Sequence, residues 1–275
     1  MQSKVTNMRT YSIILTAALL SASATQAQIV NDGATNTLSN VTNTFTGDVT
    51  VGTNGSFTLV VLSDNSLLTN SGSGIIGLNA TARSNEVRLI SPSARWRMGG
   101  LLFLGSSGSF NQLVVSNGAS VSDGGAIISY LAGTSNRALI TGSGSTWSNA
   151  GPLYHGFTDP GNQLVVSNGG VVFNDVQAFI GVGSSNNLAV VTGSGSTWTT
   201  ASDLGVGLGS VGNQLMISNG GAVKNGHGYV GVNPAASNNL ALITGAGSVW
   251  SNALDLEVGS SEGNNQMIEI GRAHV

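Results

Sequence analysis

The sequence repeats itself every 51 residues, and this restricts the fold more than any other feature. The stretch Asn111–Gly118 returns unchanged at Asn162–Gly169 and in altered form at Asn213–Gly220. Every tryptophan occupies the same place in the repeat, at spacings of 51, 51 and 52 residues: Trp96, Trp147, Trp198 and Trp250. Self-similarity at a fixed period of this size indicates an array of equal structural units.

Each repeat divides into two similar halves. Leu164–Gly169 aligns with Leu188–Gly193, and Leu215 follows Leu188 after a slightly longer interval. Apolar residues alternate in both halves, which is typical of β-strands. We therefore expect six residues to point inward: Leu164, Val166, Leu188, Val190, Leu215 and Ile217. Ser167–Gly170 and its copies predict bends with a positive φ at Asn or Gly.

Short strands at a fixed period of half a repeat, without a helical pattern in the repeats, predict an all-β fold. A propeller with one repeat per blade is the main alternative, but its blades do not require two similar halves. We expect a right-handed parallel β-helix, a β-solenoid with two coils per 51-residue repeat. Residues 28–268 would form about nine coils in a rod about 45 Å long, because strands stack about 4.8 Å apart.

The sequence divides into four regions. Residues 1–27 are a predicted secretory signal peptide, in which a basic start precedes the apolar run Ile13–Leu20 and small residues that suit cleavage. Residues 28–83 are predicted to be degenerate N-terminal coils, and residues 84–268 carry the 51-residue repeat. Residues 269–275 break the pattern and match the translated start of a common sequencing adaptor. We therefore expect a non-native tail and a natural protein that continues further.

Charge and cysteine content argue against several classes of function. Charged residues make up 8% of the chain, the net charge is −3, and there is no cysteine. A nucleic-acid-binding protein would carry a basic patch, so we expect no nucleic-acid partner. Disulfides and thiolate sites are excluded. His155 and His227 each stand without a second ligand at metal-binding spacing, so we predict no metal site and no cofactor.

The tryptophans are the strongest candidates for a ligand-binding surface. Trp147, Trp198 and Trp250 would lie about 9.6 Å apart if each repeat spans two coils, which is near the length of two sugar units. An exposed column of indole rings could stack on a polysaccharide. The alternative, which we favour, is that each ring packs in a corner of the solenoid and its N–H finds an acceptor.

Charged residues provide weaker candidates. Asp203 and Asp255 occupy matching places in successive repeats, at a separation close to that of an inverting glycoside hydrolase. Solvated strand ends also explain them, and we favour that interpretation over a catalytic pair. Four arginines cluster in the sequence and could bind an acidic polysaccharide or form a solvated face, the interpretation that we favour: Arg83, Arg88, Arg95 and Arg97.

The repeat resembles one that autotransporter passengers of type V secretion share with PEP-CTERM-associated proteins of bacteria with an outer membrane. The resemblance rests on Asn162–Gly169, Ile180–Gly183 and Thr192–Trp198 and extends over residues 84–268. It implies an exported β-helical protein at the cell surface, and a translocator barrel or sorting tail in the missing C-terminal part.

The sequence leaves two functions open. The resemblance favours a structural or adhesive passenger, not an enzyme, with surface polysaccharide or a host or neighbouring cell surface as partner. The alternative is a polysaccharide lyase or glycoside hydrolase on the same scaffold. A concave site with convergent carboxylates on adjacent coils would favour the enzyme, and a repetitive face would favour the passenger.

Overall fold

Each coil of the chain consists of three short strands joined by bends. The computed structural model describes residues 27–259 and 263–271, and all regular elements in these ranges are β-strands. Strands one coil apart pair in parallel, so the chain forms three sheets that run side by side along a rod. This confirms the predicted all-β parallel β-helix.

Sheet I contains ten strands: β1 (Ala27–Gln28), β4 (Val49–Val51), β7 (Gly74–Ile76), β10 (Leu102–Leu104), β13 (Ala126–Ile128), β16 (Leu153–His155), β19 (Ala178–Ile180), β22 (Leu204–Leu208), β25 (Gly228–Val232) and β28 (Leu256–Val258). Sheet II contains ten strands: β2 (Thr35–Ser39), β5 (Leu59–Ser63), β8 (Glu86–Leu89), β11 (Gln112–Ser116), β14 (Arg137–Thr141), β17 (Gln163–Ser167), β20 (Leu188–Thr192), β23 (Gln214–Ser218), β26 (Leu240–Thr244) and β29 (Gln266–Ile270). Sheet III contains nine strands: β3 (Thr42–Phe45), β6 (Leu67–Asn70), β9 (Arg95–Met98), β12 (Ser120–Asp123), β15 (Thr146–Asn149), β18 (Val171–Asn174), β21 (Thr197–Thr200), β24 (Ala222–Asn225) and β27 (Val249–Asn252).

The described strands form nine complete coils and two strands of a tenth, in agreement with the predicted number. The described coils begin at Ala27, so residues 28–83 already belong to the solenoid. The predicted signal peptide, apart from Ala27, lies outside the described residues. Strand β29 runs to Ile270 and pairs with β26, so the first residues of the predicted tail continue the sheet.

The structure corrects the register between the two halves of the repeat. Leu164 pairs with Ala189 and not with Leu188, so the alignment of the two halves was wrong by one position. Ala189 and Val191 are therefore buried, whereas Leu188 and Val190 lie half-buried on the outer face, and the prediction for these two was wrong. A slip of one residue moves every side chain of a strand to the opposite face. The other four predicted inward residues are fully buried.

Core volume explains why the sequence repeats every two coils and not every one. In three of the four coils with a tryptophan in sheet III, sheet II carries the small alanine, and the fourth, the coil of Trp96, carries Val87 there. The coils between them carry valine in sheet III and leucine in sheet II. The Trp–Ala coils contain Trp147 with Ala138, Trp198 with Ala189, and Trp250 with Ala241. The intervening coils contain Val121 with Leu113, Val172 with Leu164, and Val223 with Leu215. Large and small side chains thus alternate along the rod and fill it densely.

The predicted bends are confirmed. Asn168 has a φ of 53° and Gly169 a φ of 83°, and the corresponding residues of the other two copies have nearly the same values. Asparagine and glycine are the residues that adopt this left-handed backbone at least cost. The bend is closed from the next coil by Ser196, whose hydroxyl accepts a hydrogen bond from the Gly169 N–H at 3.0 Å.

Candidate functional surfaces

The tryptophan column lies inside the solenoid. All four indole rings are fully buried, so none presents a face on which a sugar could stack. Each Nε1–H donates to a side-chain oxygen one coil earlier, for example from Trp198 to Asn174 Oδ1 at 2.9 Å. Trp147, Trp198 and Trp250 are therefore packing residues, and the idea that they form a ligand-binding stripe was wrong.

One member of this column has a different acceptor. Trp147 Nε1–H donates to the carboxyl oxygen Oδ2 of Asp123 at 2.7 Å, where the other tryptophans meet an asparagine. Asp123 Oδ1 also accepts the Gly125 N–H at 2.9 Å. Burial raises the pKa of Asp123 to about 7, although both hydrogen bonds favour the charged form. The sequence did not single out Asp123, although it is the acidic residue among the four that accept a tryptophan N–H.

An internal column of asparagines runs along the corner before sheet II. The backbone N–H of each asparagine donates to the side-chain oxygen of the next one, over distances of 2.9–3.1 Å. Its members are Asn85, Asn111, Asn136, Asn162, Asn187, Asn213, Asn239 and Asn265. Sequence reasoning used some of these asparagines to find the repeat but missed the ladder. Their nearly constant spacing along the chain would have revealed both the ladder and the correct register.

Most ladder side chains pack against a glycine of the preceding coil that has no room for a side chain. A Cβ added to Gly181 would lie 2.2 Å from Asn213 Nδ2, and the φ of this glycine is 76°. Glycine is therefore required on two grounds, close approach and backbone conformation. The ladder and its glycines are structural and hold successive coils in register.

The two candidate carboxylates do not converge in a cleft. The Asp255 side chain is 94% exposed, and its Oδ2 lies 3.9 Å from Nδ1 of His227, which occupies the coil between Asp203 and Asp255. His155 is fully buried with its Nε2 3.1 Å from the Leu188 carbonyl oxygen. Burial lowers the pKa of His155 to about 4. Among the described residues, no group of three His, Asp or Glu side chains is placed to hold a metal ion.

The arginine cluster of the sequence is spread around one coil. Arg88 lies on the outer face of sheet II and forms a bidentate ion pair with Glu86 at 2.6 and 2.8 Å. Arg95 and Arg97 are exposed on sheet III, and Arg83 lies in the bend before sheet II, over the ring of Phe110. The structure therefore does not bring the four guanidinium groups together into one anion-binding site.

A second apolar cluster covers the outer face of sheet I. It consists of the outward side chains Ile75, Phe103, Ile127, Tyr154 and Phe179 and of residues further along the chain, such as Tyr130 and Phe157 in bends and Leu208 at the end of β22. Ring centroids along it lie 5.3–6.4 Å apart. A shallow notch interrupts the row at Gly205. The residues that line the notch include no carboxylate.

The outer face of sheet II carries a row of aliphatic side chains, which we call the aliphatic stripe. One side chain per strand lies at the centre of the face over seven successive coils, in direct register: Val114, Leu139, Val165, Val190, Met216, Leu242 and Ile268. All are half-buried except Ile268, which is 37% exposed. On one side the stripe is flanked by Ser and Thr hydroxyls, which bond across coils, for example Ser167 Oγ to Thr141 Oγ1 at 2.9 Å.

We find no helix in the described part of the chain with the length and hydropathy of a membrane span. No family model, curated protein or solved structure matches this chain, so its fold and surfaces carry the functional argument.

Proposed function

We propose that this protein is an exported, surface-displayed β-helical rod with a structural or adhesive role. The observation that carries the proposal is the uniform stack of coils, in which the Asn85–Asn265 ladder and the alternating tryptophans continue without interruption. A solenoid in which every coil supports its neighbours suits a spacer or an extended contact surface. The resemblance to autotransporter passengers points in the same direction.

The electrostatics also favour a structural role over polysaccharide cleavage. A glycoside hydrolase needs one carboxyl group whose environment keeps it protonated beside the scissile bond. Asp255 instead lies in solvent, and the notch at Gly205 has no carboxylate in its lining. The carboxyl group with a pKa near neutrality, Asp123, is enclosed in the core, where no polysaccharide reaches it.

Export is tested by joining residues 1–27 to a reporter enzyme that is active only outside the cytoplasm, in a bacterium with an outer membrane. We expect activity with the natural leader and none when the apolar run Ile13–Leu20 is deleted, because this run is the export signal. A reporter that stays inactive with the intact leader would contradict export.

Adhesion and turnover are separated with the purified chain and a panel of insoluble polysaccharides. We expect no release of reducing sugar, and the double variant Asp203→Asn/Asp255→Asn should keep the thermal melt and any binding of the parent. Loss of sugar release in this variant, with an unchanged melt, would identify an enzyme and reject the structural proposal.

A further inference from the structure

We infer that the aliphatic stripe on sheet II is a contact surface between two copies of this chain, which pack face to face with their rods antiparallel. The inference concerns the purified chain and does not depend on where the protein is located. Three features of the face support it: its period, its lack of charge and its area.

The period of the stripe fits a second copy. The stripe presents one aliphatic side chain per strand, in register from Val114 to Ile268, and so repeats at the strand spacing of about 4.8 Å. Side chains on two such faces can interdigitate along the whole row only if both faces have this spacing, as in sheets that pack about 10 Å apart. Another copy of the same face meets this condition because its strands have the same spacing.

The free-energy cost of removing this face from water is also small. Across β11–β29 the outward positions of sheet II carry Gln, Ser, Thr and aliphatic side chains, with Arg137 as the one charged residue. Depletion of charge at the centre and a polar rim are typical of protein interfaces. The stripe ends at Arg88, which occupies the same central position on β8 and is paired with Glu86.

Arg88 also determines the orientation. If two rods packed in parallel with equal coils opposed, each Arg88–Glu86 ion pair would be buried against its own counterpart, and the removal of ion pairs from water is unfavourable. In an antiparallel dimer centred on β20, Val190 meets its counterpart and Val114 meets Ile268. The two copies of β8 then lie outside the seven-strand contact, at opposite ends of it, so the two Arg88 side chains do not oppose each other.

The area predicts a dimer of modest affinity. Seven strands stacked at about 4.8 Å and five residues long at about 3.3 Å cover about 500 Å² per copy. The total of about 1,000 Å² lies at the lower limit for a specific interface. We therefore expect a dimer that dissociates on dilution.

Sedimentation equilibrium of the purified chain and of two lysine variants tests the inference. Val190→Lys places two ammonium groups at the centre of the dimer and should weaken association at least about tenfold. Val171→Lys is the matched control, since Val171 is also a half-buried outward valine but lies on sheet III; it should associate like the parent. Circular dichroism melts establish that both variants are folded. A parent that stays monomeric at high concentration, or a Val190→Lys variant that associates as strongly as the parent, overturns the inference.

Cross-linking tests the orientation. The chain has no cysteine, so single cysteines can be introduced at will. Facing backbones about 10 Å apart are too distant for a disulfide, and a short bismaleimide is the suitable reagent. Val190→Cys should cross-link to itself, while Val114→Cys should cross-link to Ile268→Cys in a mixture of the two variants. Efficient cross-linking of Val114→Cys to itself would overturn the antiparallel arrangement. Association through the open ends of the rod would leave Val190→Cys uncross-linked and would overturn the inference as well.

Discussion

Asp123 has a carboxyl group where its counterparts in other coils have an amide, and this difference makes the stability of its coil depend on pH. Asn70, Asn174 and Asn225 accept a tryptophan N–H with a neutral amide, whereas Asp123 accepts it with a group that can ionise. The core disfavours the ionised form, and the pKa of Asp123 rises from 3.8 to about 7. An unfolded chain would not show this shift, so folding and protonation are linked.

The first prediction is that Asp123→Asn removes a loss of stability at alkaline pH. The folded protein binds the Asp123 proton more tightly than the unfolded chain does. The stabilisation is therefore fully present below about pH 4 and is lost as the pH rises through about 7. Above that pH, ionisation of Asp123 lowers the free energy of unfolding by on the order of 4 kcal/mol relative to its value below pH 4. Urea denaturation at pH 4.5 and pH 8.5 measures the effect.

His155 provides the internal control for that experiment. Its pKa is lowered to about 4, so its contribution to stability has the opposite sign and is lost as the pH falls from about 6.5 toward 4. Because His155 is present in both proteins, the difference between parent and Asp123→Asn isolates the carboxyl group. A difference between the two proteins that stays constant across this pH range would contradict the linkage.

At the scale of strands and coils, two devices hold the solenoid together: the asparagine ladder and the alternation of large and small core residues. The sequence predicted the strands, the bends and the two-coil repeat, because period and turn residues are local signals. It did not predict the register of β20, since this strand is apolar at four successive positions and alternation alone cannot choose its inner face. The sequence alone also could not establish that the tryptophans are buried, because their period is the same for an inner and an outer column.

The second prediction concerns the ladder. Asn187 Oδ1 accepts the backbone N–H of Asn162 at 3.1 Å in a fully buried site. Asn187→Ala leaves that N–H without an acceptor, at a cost of about 1–3 kcal/mol for this group alone. Gln163→Ala, at the neighbouring exposed position, should stay within about 0.5 kcal/mol of the parent. Equal stabilities of the two variants in chemical denaturation would reject the role of the ladder.

The third prediction concerns the alternation of core volumes. Ala189→Leu overpacks a coil that already contains Trp198 and should cost about 1–3 kcal/mol. Trp198→Val should cost about 3 kcal/mol or more because it leaves a cavity. Together the two changes copy the composition of an intervening coil, so the double variant should lose less stability than the sum. In the control pair Ala138→Leu/Trp198→Val the sites are two coils apart, and the losses should add. A double-mutant cycle measures both couplings.

At the scale of the whole molecule, stability is a sum over coils and their neighbours. The fourth prediction follows from this. Deletion of residues 162–212 joins Gly161 to Asn213, so Asn213 takes the place of Asn162 in the ladder and Trp–Ala coils still alternate with Val–Leu coils. We expect a shorter rod that melts cooperatively, measured by circular dichroism and small-angle scattering.

Deletion of a single coil is the control. Removal of residues 162–186 joins Gly161 to Asn187, which keeps the ladder spacing but sets the coils of Trp147 and Trp198 side by side. This variant should melt well below the other, because two large side chains then meet in the core. If both deletions give equally stable rods, the alternation of core volumes is not what makes the 51-residue unit removable.

The pairing of coils has a genetic consequence. Asn111–Gly118 and Asn162–Gly169 are identical, and an in-frame exchange between the DNA segments that encode them would add or remove one whole 51-residue unit. Such an exchange leaves three features unchanged: which residues of each strand point inward, the spacing of the ladder asparagines, and the alternation of large and small core side chains. An exchange of a single coil would set two tryptophan coils side by side. The gene can therefore lengthen or shorten its product in steps of about 9.6 Å without having to evolve a new interface.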